Sequence, residues 1–299
     1  SIIQAKPSMN QGKQTISLSV LKTVSDVGAW IRMQKENGHE VGFVPTMGAL
    51  HAGHATLIQE AAKECGRVIV SIFVNPTQFN AEQDFNQYPI TPEEDLEVAL
   101  SAGAHAVFMP SVDEIYRDRP AVEPVNYGDL TSKWEAADRP GHFDGVVAVV
   151  DLLFQAVRPN RAYFGEKDLQ QLAVVRRLVS ERHPDIDIVG CPLIRDVDGL
   201  ALSSRNARLT PEARNLALGL SQTLFNMEER IRQGQDPNEC LTWGRAKISA
   251  LAGVELAYLD LVESTAFSPW DEGSKGLGFA ILAATIGGVR LLDNHCVCR

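Results

Sequence analysis

The sequence predicts an α/β protein: a parallel β-sheet with helices on both faces, followed by a smaller α+β domain. Three observations carry this prediction. Short apolar runs alternate with helix-forming segments over the first two-thirds of the chain. After about residue 192, two helical segments are followed by three strand-like runs. The length of 299 residues is enough for about two domains.

In the first domain, strands are predicted where β-branched or buried apolar residues cluster and end near Pro or Gly. These predicted strands are Val41–Val44, Arg67–Asn75, His105–Met109, Ala162–Phe164 and Ile186–Gly190. The predicted helices are His51–Cys65, Thr91–Ala102, Val146–Val157 and Lys167–Glu181. Thr91 is expected to cap its helix, with Pro92 at the first helical position and Glu94 completing a capping box. The polar residues 1–17 are expected to form a loose N-terminal arm.

The second domain is predicted from a different order of elements. A long helix begins at Thr210 and reaches about Gln233, and another begins at Asp236 with a capping-box pattern. The strand-like runs that follow are Leu256–Val262, Phe279–Ala284 and Val289–Leu292. We therefore expect two domains, residues 1–193 and 194–299.

Composition excludes several classes of protein. The chain has 28 Lys and Arg against 38 Asp and Glu, a net charge of −10, which argues against a general nucleic-acid or anionic-membrane surface. A local basic pocket for a phosphate remains compatible with that charge. No apolar stretch approaches the ~20 residues of a membrane span, and the first twenty residues lack a signal core. Five sparse cysteines indicate reduced thiols, so we expect a cytoplasmic protein.

The most informative segment is residues 44–54, where a strand ends, a glycine-containing turn follows and a helix begins. A helix N-terminus at that position offers free N–H groups and a positive dipole end to a phosphate. His51 and His54 share one face of the first turn, and Gly53 leaves room for close approach. Two alternatives stay open: ordinary surface histidines, or a partial metal site. Zinc is disfavoured because no further ligand lies nearby in sequence.

Three other segments place polar groups where a ligand could meet them. Gln78 follows a buried strand, and its amide can pair with a hydroxyl or carboxylate of a small substrate. After another strand, Gly165 allows close backbone approach, Lys167 supplies a point charge, and Asp168 can reach a ribose or order the turn. Residues 203–205 offer two hydroxyls and a guanidinium, a suitable phosphate clamp. Taken alone, each is also compatible with an ordinary loop or helix cap.

These segments together resemble a known family. His-x-Gly-His after a strand resembles the signature of the nucleotidyltransferase superfamily, which includes class I aminoacyl-tRNA synthetases. The fuller string VPTMGALHAGH is similar to the pantothenate synthetase (pantoate–β-alanine ligase) family. Further strings of that family follow in order: FVNPTQF at 73–79, RPGHF at 139–143, FGEKD at 164–168 with QQ at 170–171, DGLALSSRN at 198–206, and DN at 293–294. Ala52, and Ile90 where Arg is expected, depart from the family pattern.

The resemblance implies a Rossmann-like first domain, a C-terminal lid, and ATP-dependent condensation of pantoate with β-alanine through a pantoyl adenylate, releasing AMP and pyrophosphate. It also implies Mg²⁺ on the phosphates and a homodimer. The implied catalytic residues are His51, His54, Lys167 and Arg205. The implied ATP-binding residues are Met47, Gly48, His51, Gly53, His54, Gly165, Glu166, Lys167, Asp168, Ile194, Leu202, Ser203, Ser204 and Arg205. Those implied for pantoate or β-alanine are Gln78, Gln171, Arg139 and His142.

Two other functions remain open from the residues alone. One is a different transferase of the superfamily that keeps the nucleotide in its product, joined to a phosphorylated acceptor. Gln78 and Gln171 argue against it, because such an acceptor calls for Arg or Lys. The other is a non-enzymatic ATP-binding module, which the intact residues at every phosphate position disfavour.

Overall fold

The computed structural model describes residues 2–4, 17–79, 82–117, 122–271, 273–274 and 276–298. It divides the chain into two compact units. The first unit comprises residues 1–125, 141–165 and 175–191, and the second comprises 126–140, 166–174 and 192–299. The expected division into residues 1–193 and 194–299 stays a prediction. The two units differ from that division because residues 126–140 and 166–174 belong to the second unit.

The first unit is built on a seven-stranded sheet with the order β1-β2-β5-β4-β3-β6-β7. Its strands are β1 (Ile2–Gln4), β2 (Ser17–Leu21), β3 (Val41–Thr46), β4 (Arg67–Ile72), β5 (Ala106–Phe108), β6 (Arg161–Gly165) and β7 (Asp187–Cys191). All neighbouring pairs are parallel except β1 with β2. The predicted parallel sheet is confirmed. The prediction of a loose arm is wrong for Ile2–Gln4 and Ser17, which lie in strands, and residues 1 and 5–16 lie outside the described residues.

Helices cover both faces of this sheet. In chain order the helices of both units are α1 (Val24–Glu36), α2 (Ala52–Glu64), α3 (Glu82–Asn86), α4 (Pro92–Ala102), α5 (Val112–Tyr116), α6 (Glu135–Asp138), α7 (His142–Val157), α8 (Leu169–Arg182), α9 (Pro211–Arg232) and α10 (Pro237–Ser249). Of these, α6, α9 and α10 lie in the second unit. Successive residues of a strand point to opposite faces. Accordingly, Val44 packs in the core with Leu57 and Ile58 of α2. Its neighbour Phe43 instead meets Phe154 of α7 edge-to-face at 6.2 Å between ring centroids.

The start of α4 differs from the prediction. The Thr91 side chain makes no capping bond, so the expected capping box is absent. Its hydroxyl instead donates to Asp95 Oδ1 at 3.1 Å. The Thr91 hydroxyl is therefore bonded to the buried carboxylate of Asp95 and does not cap a backbone N–H of α4.

The second unit contains an antiparallel sheet of β8 (Val254–Glu263), β9 (Gly278–Ile286) and β10 (Val289–Cys298), in the order β10-β9-β8. One face packs against α9 and α10. The other face buries Val262 and Ile281 against Trp134 and Leu169. This second apolar face explains why residues 126–140 and 166–174 belong to the C-terminal unit.

Helices α9 and α10 begin at the predicted N-cap residues, but α10 has only the Asp236 cap and not the expected capping box. The Thr210 hydroxyl accepts from Ala213 N at 3.2 Å, and Asp236 Oδ1 accepts from Asn238 N and Glu239 N. Among the described residues, no single helix is long and apolar enough to cross a membrane. One bent pair, Gly128–Asp138 with His142–Val157, passes by length and composition only.

Candidate functional site

The strand order predicts a ligand site at the ends of β3 and β6. Chain connections run outward from β3 through β4 to β5 on one side, and through β6 to β7 on the other. Open α/β sheets bind ligands at such a switch point, beyond the carboxyl ends of the strands. Pairing between β3 and β6 covers only Gly42–Phe43 and Arg161–Ala162. A Cβ added to Gly165, where β6 ends, would meet no heavy atom within 4 Å, so this end of the strand is open.

His51 and His54 together form the N-terminal cap of α2. His51 Nδ1 accepts from Gly53 N at 3.0 Å, and His54 Nδ1 accepts from His51 N at 3.2 Å, a reciprocal capping box. The ring centroids lie 4.2 Å apart. Because each Nδ1 accepts an N–H, the proton of each neutral ring is on Nε2, which makes Nε2 a donor.

Gly53 is required by the fold of this cap. A Cβ there would lie 2.8 Å from His51 Cε1 and 3.0 Å from His51 Nδ1. Gly53 is predicted from the sequence to leave room for close approach of a ligand. The structure adds that the His51 ring itself occupies the space beside it.

The turn between β3 and α2 is held by Asp95 of α4. This carboxylate accepts from Ala49 N at 3.0 Å and from Leu50 N at 2.7 Å, and the residue is 2% exposed. Gly48 has φ +82° and Ala49 has φ +50°, so the turn runs through the left-handed region twice. The two bonds to Asp95 stabilise a backbone that is strained at Ala49. The sequence analysis did not identify Asp95.

Gln78 lies in a buried hydrogen-bond network of the first unit. Its Oε1 accepts from Asn75 Nδ2 at 3.1 Å, and its Nε2 donates to Met47 Sδ at 3.2 Å. His142 Nδ1 lies 2.7 Å from the Gln78 carbonyl oxygen, so this nitrogen is the donor. Asn75 also donates to Gly145 O and accepts from Tyr116 OH at 2.6 Å. The amide predicted to bind substrate is therefore held rigidly in place.

In the second unit, cations gather around Asp168. Lys167 Nζ lies 3.3 Å from Asp168 Oδ1. Burial raises the pKa of Asp168, but Lys167 and the charges of Arg205 and Arg139 lower it further, so the net shift is downward. Arg139 is mostly buried, and burial, with help from Arg205, lowers its pKa despite its ion pair with Glu135. Lys167, Arg205 and Arg139 thus bring positive charge to this part of the second unit, which suits a phosphate ligand.

The Ser203–Arg205 segment follows a hairpin of the second unit. Arg195 and Ala201 form an antiparallel bridge, and Leu202 N donates to Ile194 O at 3.0 Å. Ser203 then caps a 3-10 turn over Ser204–Arg208, its Oγ accepting from Arg205 N at 3.2 Å.

The predicted site residues fall into two groups by unit. The first unit carries Met47, Gly48, His51, Gly53, His54, Gln78, His142 and Gly165. The second carries Arg139, Glu166, Lys167, Asp168, Gln171, Ile194, Leu202, Ser203, Ser204 and Arg205. Arg139, predicted for pantoate or β-alanine, lies close enough to the predicted phosphate residue Arg205 for their charges to interact. The roles of individual residues remain predictions.

A parallel sheet in the order β5-β4-β3-β6-β7, with a histidine-capped helix at its switch point, defines a nucleotide-binding α/β protein of the Rossmann-like class. The family model for pantoate–β-alanine ligase matches residues 19–296. The chain therefore belongs to the pantoate–β-alanine ligase family.

Relatives of known name agree with this assignment. The chain is 44% identical over 280 residues to a pantothenate synthetase of Bacteroides fragilis, covering 93% of this chain and 98% of that protein. It is 45% identical over 275 residues to one of Cereibacter sphaeroides, covering 92% and 98%.

Solved structures are similar over the same span. Pantothenate synthetase from Thermus thermophilus superposes with a TM-score of 0.88 at 40% identity, covering 94% of this chain and all of that one. Pantoate–β-alanine ligase from Francisella tularensis, complexed with β-γ ATP and β-alanine, gives a TM-score of 0.74 at 33% identity, covering 94% and 98%. The chain is an ATP-dependent ligase that condenses pantoate with β-alanine. The enzyme function predicted from the motifs is confirmed.

Proposed function

We propose that this ligase works in two steps. The carboxylate of pantoate attacks the α-phosphate of ATP, giving pantoyl adenylate and pyrophosphate. The amine of β-alanine then attacks the acyl carbon, giving pantothenate and AMP. A carboxylate is a poor acyl donor because oxide would have to leave, and adenylation replaces oxide with AMP. The bound β-γ ATP and β-alanine named for the Francisella tularensis relative support these substrates.

The observation that carries the proposal is the reciprocal histidine cap. His51 and His54 each use Nδ1 within the helix start, so each presents an Nε2–H donor on the same first turn. Donors fixed before reaction stabilise charge that develops on phosphate oxygens without reorganisation. The positive dipole end of α2 acts in the same direction. In this proposal both rings contact the phosphates during adenylation.

The second unit supplies positive charge in the proposal. Lys167 and Arg205 bind the phosphates, with the hydroxyls of Ser203 and Ser204 beside them, and Glu166, Ile194 and Leu202 contribute to the nucleotide site. The combined effect of Lys167 and Arg205 on the pKa of Asp168 supports this placement. Phosphoryl transfer depends mainly on position and electrostatics, which such a cluster provides.

Gln78 and Gln171 bind pantoate in the proposal, and His142 orients Gln78. The carboxamide of Gln78 is held by Asn75 and Met47, so it is ordered before substrate arrives. Gln171 lies half-buried in the first turn of α8. Arg139, whose pKa the charge of Arg205 helps to lower, is proposed to bind pantoate or β-alanine.

Mg²⁺ enters with ATP in this proposal. Within the residues that the structure describes, no group of three or more His, Cys, Asp or Glu could hold a metal ion. Mg²⁺ is commonly held by substrate phosphates with few protein ligands, so the donors present fit a cation delivered on the triphosphate. We also propose that the protein is a homodimer in the cytoplasm. Light scattering on the purified chain tests whether it is a dimer.

The testing experiment measures pyrophosphate and AMP from MgATP and pantoate, with and without β-alanine. We expect about one equivalent of pyrophosphate with pantoate alone, and AMP turnover only when β-alanine is added. His54→Ala should severely slow the release of pyrophosphate. Normal release by His54→Ala would refute the proposed role of the histidine cap, and AMP turnover without β-alanine would refute the order of steps.

A further inference from the structure

We propose that Asp293 and Asn294 on β10 are positioning residues that fix two nucleotide-binding segments of the second unit relative to each other. The segments are the turn Glu166–Asp168 and the hairpin 194–202. The proposal rests on the nucleotide-binding roles proposed above for Lys167 and Arg205. Neither residue of β10 touches substrate in this proposal.

Asn294 holds the first segment by its carboxamide. Its Nδ2 donates to Glu166 O at 2.8 Å and to Lys167 O at 3.0 Å, so both hydrogens of one NH₂ group are used. The residue is 4% exposed. Because the two carbonyls belong to consecutive residues, their bonds fix the backbone from which the Lys167 side chain extends.

Asp293 holds the second segment through Arg195. The carboxylate accepts from Arg195 Nη1 at 2.9 Å and from Nη2 at 2.8 Å, a bidentate pair. Arg195 also donates to Asn294 O at 2.9 Å and to Gly199 O at 3.0 Å, which ties the turn of the hairpin to β10. The hairpin leads directly into the Ser203 cap.

The Arg195–Asp293 pair is buried, with side chains 17% and 5% exposed. Burial raises the pKa of Asp293 above its ordinary value even though Arg195 lowers it. Desolvation therefore offsets much of the attraction between the two charges, and a buried pair of this kind is a weak source of net stability. Its directional bonds favour a role in fixing geometry.

Adjacent residues of one strand thus hold both segments. Lys167 in the turn and Arg205, which follows the hairpin, both lower the pKa of Asp168, so both charges act on the same carboxylate. A shift of either segment on β10 would change the spacing of these cations. Binding of a polyphosphate, whose several charged groups meet several cations at once, is sensitive to such spacing. β-Alanine carries a single carboxylate, so we expect its binding to depend less on that spacing.

The test is Asn294→Asp, which replaces the NH₂ donor by a carboxylate facing two carbonyl oxygens. Its matched control is Asn226→Asp, the same change at an exposed residue of α9 in the same unit. We expect KM for ATP to rise roughly 10-fold or more in Asn294→Asp, with KM for β-alanine within about twofold of wild type. The control should match wild type in both.

A double-mutant comparison distinguishes a positioning role of Asn294 from general destabilisation of the protein. If Asn294 acts through Lys167, Asn294→Asp combined with Lys167→Ala should be no worse for ATP than Lys167→Ala alone. Asn294→Ala, which adds no charge, guards against loss of folding in the first variant, and thermal melts are recorded for every variant. Additive losses, or an unchanged KM for ATP in folded Asn294→Asp and Asn294→Ala, would overturn the proposal. An unimpaired Lys167→Ala would instead overturn the proposed role of Lys167 on which it rests.

Discussion

The double use of His51, as helix cap and as proposed phosphate donor, can be separated by one substitution. His51→Asn keeps a side-chain acceptor for Gly53 N, because Asn is among the best N-cap residues, but removes the Nε2–H donor. His51→Ala removes both. Both variants therefore lack the imidazole, but only His51→Asn keeps the cap of α2.

The expected magnitudes follow from these contacts. Loss of the cap in His51→Ala should cost about 1 kcal/mol, which lowers Tm by roughly 2–4 °C for a domain of this size. His51→Asn should keep Tm within about 1 °C of wild type. Removing one preorganised donor from the developing charge should slow adenylation by about 10²- to 10³-fold in both variants.

Calorimetry and pantoate-dependent ATP–pyrophosphate exchange measure the two effects on the same samples. His54→Gln is the matching variant at the third helical position, where Gln can still accept from His51 N. If exchange by His51→Asn stayed near the wild-type rate while His51→Ala lost both stability and exchange, the ring would serve only as a cap, and the assignment of His51 to the phosphates would be refuted.

Three further predictions concern Gly48, Asp95 and Asp151. Gly48→Ala should lower the free energy of unfolding by about 1–3 kcal/mol, because φ is +82° and the added Cβ would lie 2.8 Å from Asp95 Oδ2; an unchanged urea midpoint would contradict this. Asp95→Asn should cost about 1–3 kcal/mol and raise KM for ATP, because an NH₂ group would then face a backbone N–H of the turn; urea melts and initial rates measure both. Burial raises the pKa of Asp151, but hydrogen bonds from His183 and Arg182 lower it further, so the folded pKa lies below the ordinary 3.8. Its stabilisation is therefore present above pH 3.8 and lost as pH falls through the lower folded pKa. Asp151→Asn should thus be less stable than wild type near pH 7, and the difference should shrink as pH falls below 3.8. A difference in Tm that stays constant over this fall in pH would refute the assignment.

Elements with strong local signals could be predicted from the sequence. The runs that became β3, β4 and β6 are continuous and apolar, and the caps at Thr210 and Asp236 are of standard type. α1 was not predicted, although Thr23 caps it through Asp26 N. Its buried face includes a glutamine among apolar residues, which weakens the periodic pattern.

The residues that hold the site were harder to find. Asp95 lies in an acidic first turn with Glu93 and Glu94, and nothing local distinguishes the one carboxylate that is buried. Its partners Ala49 and Leu50 are 46 and 45 residues away. His51 was chosen for its chemistry, while its capping role could not be read from composition because histidine is not a preferred cap. Sequence motifs thus identified the groups expected to meet ligand, and the structure supplied the groups that hold them.

The long-range ties of β10 have a consequence for folding. Arg195 bonds to Asp293 across 98 residues, and Asn294 bonds to Lys167 across 127. Such contacts require closure of long chain loops and therefore form late, after local helices such as α9 and α10. During refolding, helical circular dichroism should return before the second unit gains its nucleotide-binding geometry. A chain can therefore have nearly complete secondary structure while it is still unable to activate pantoate.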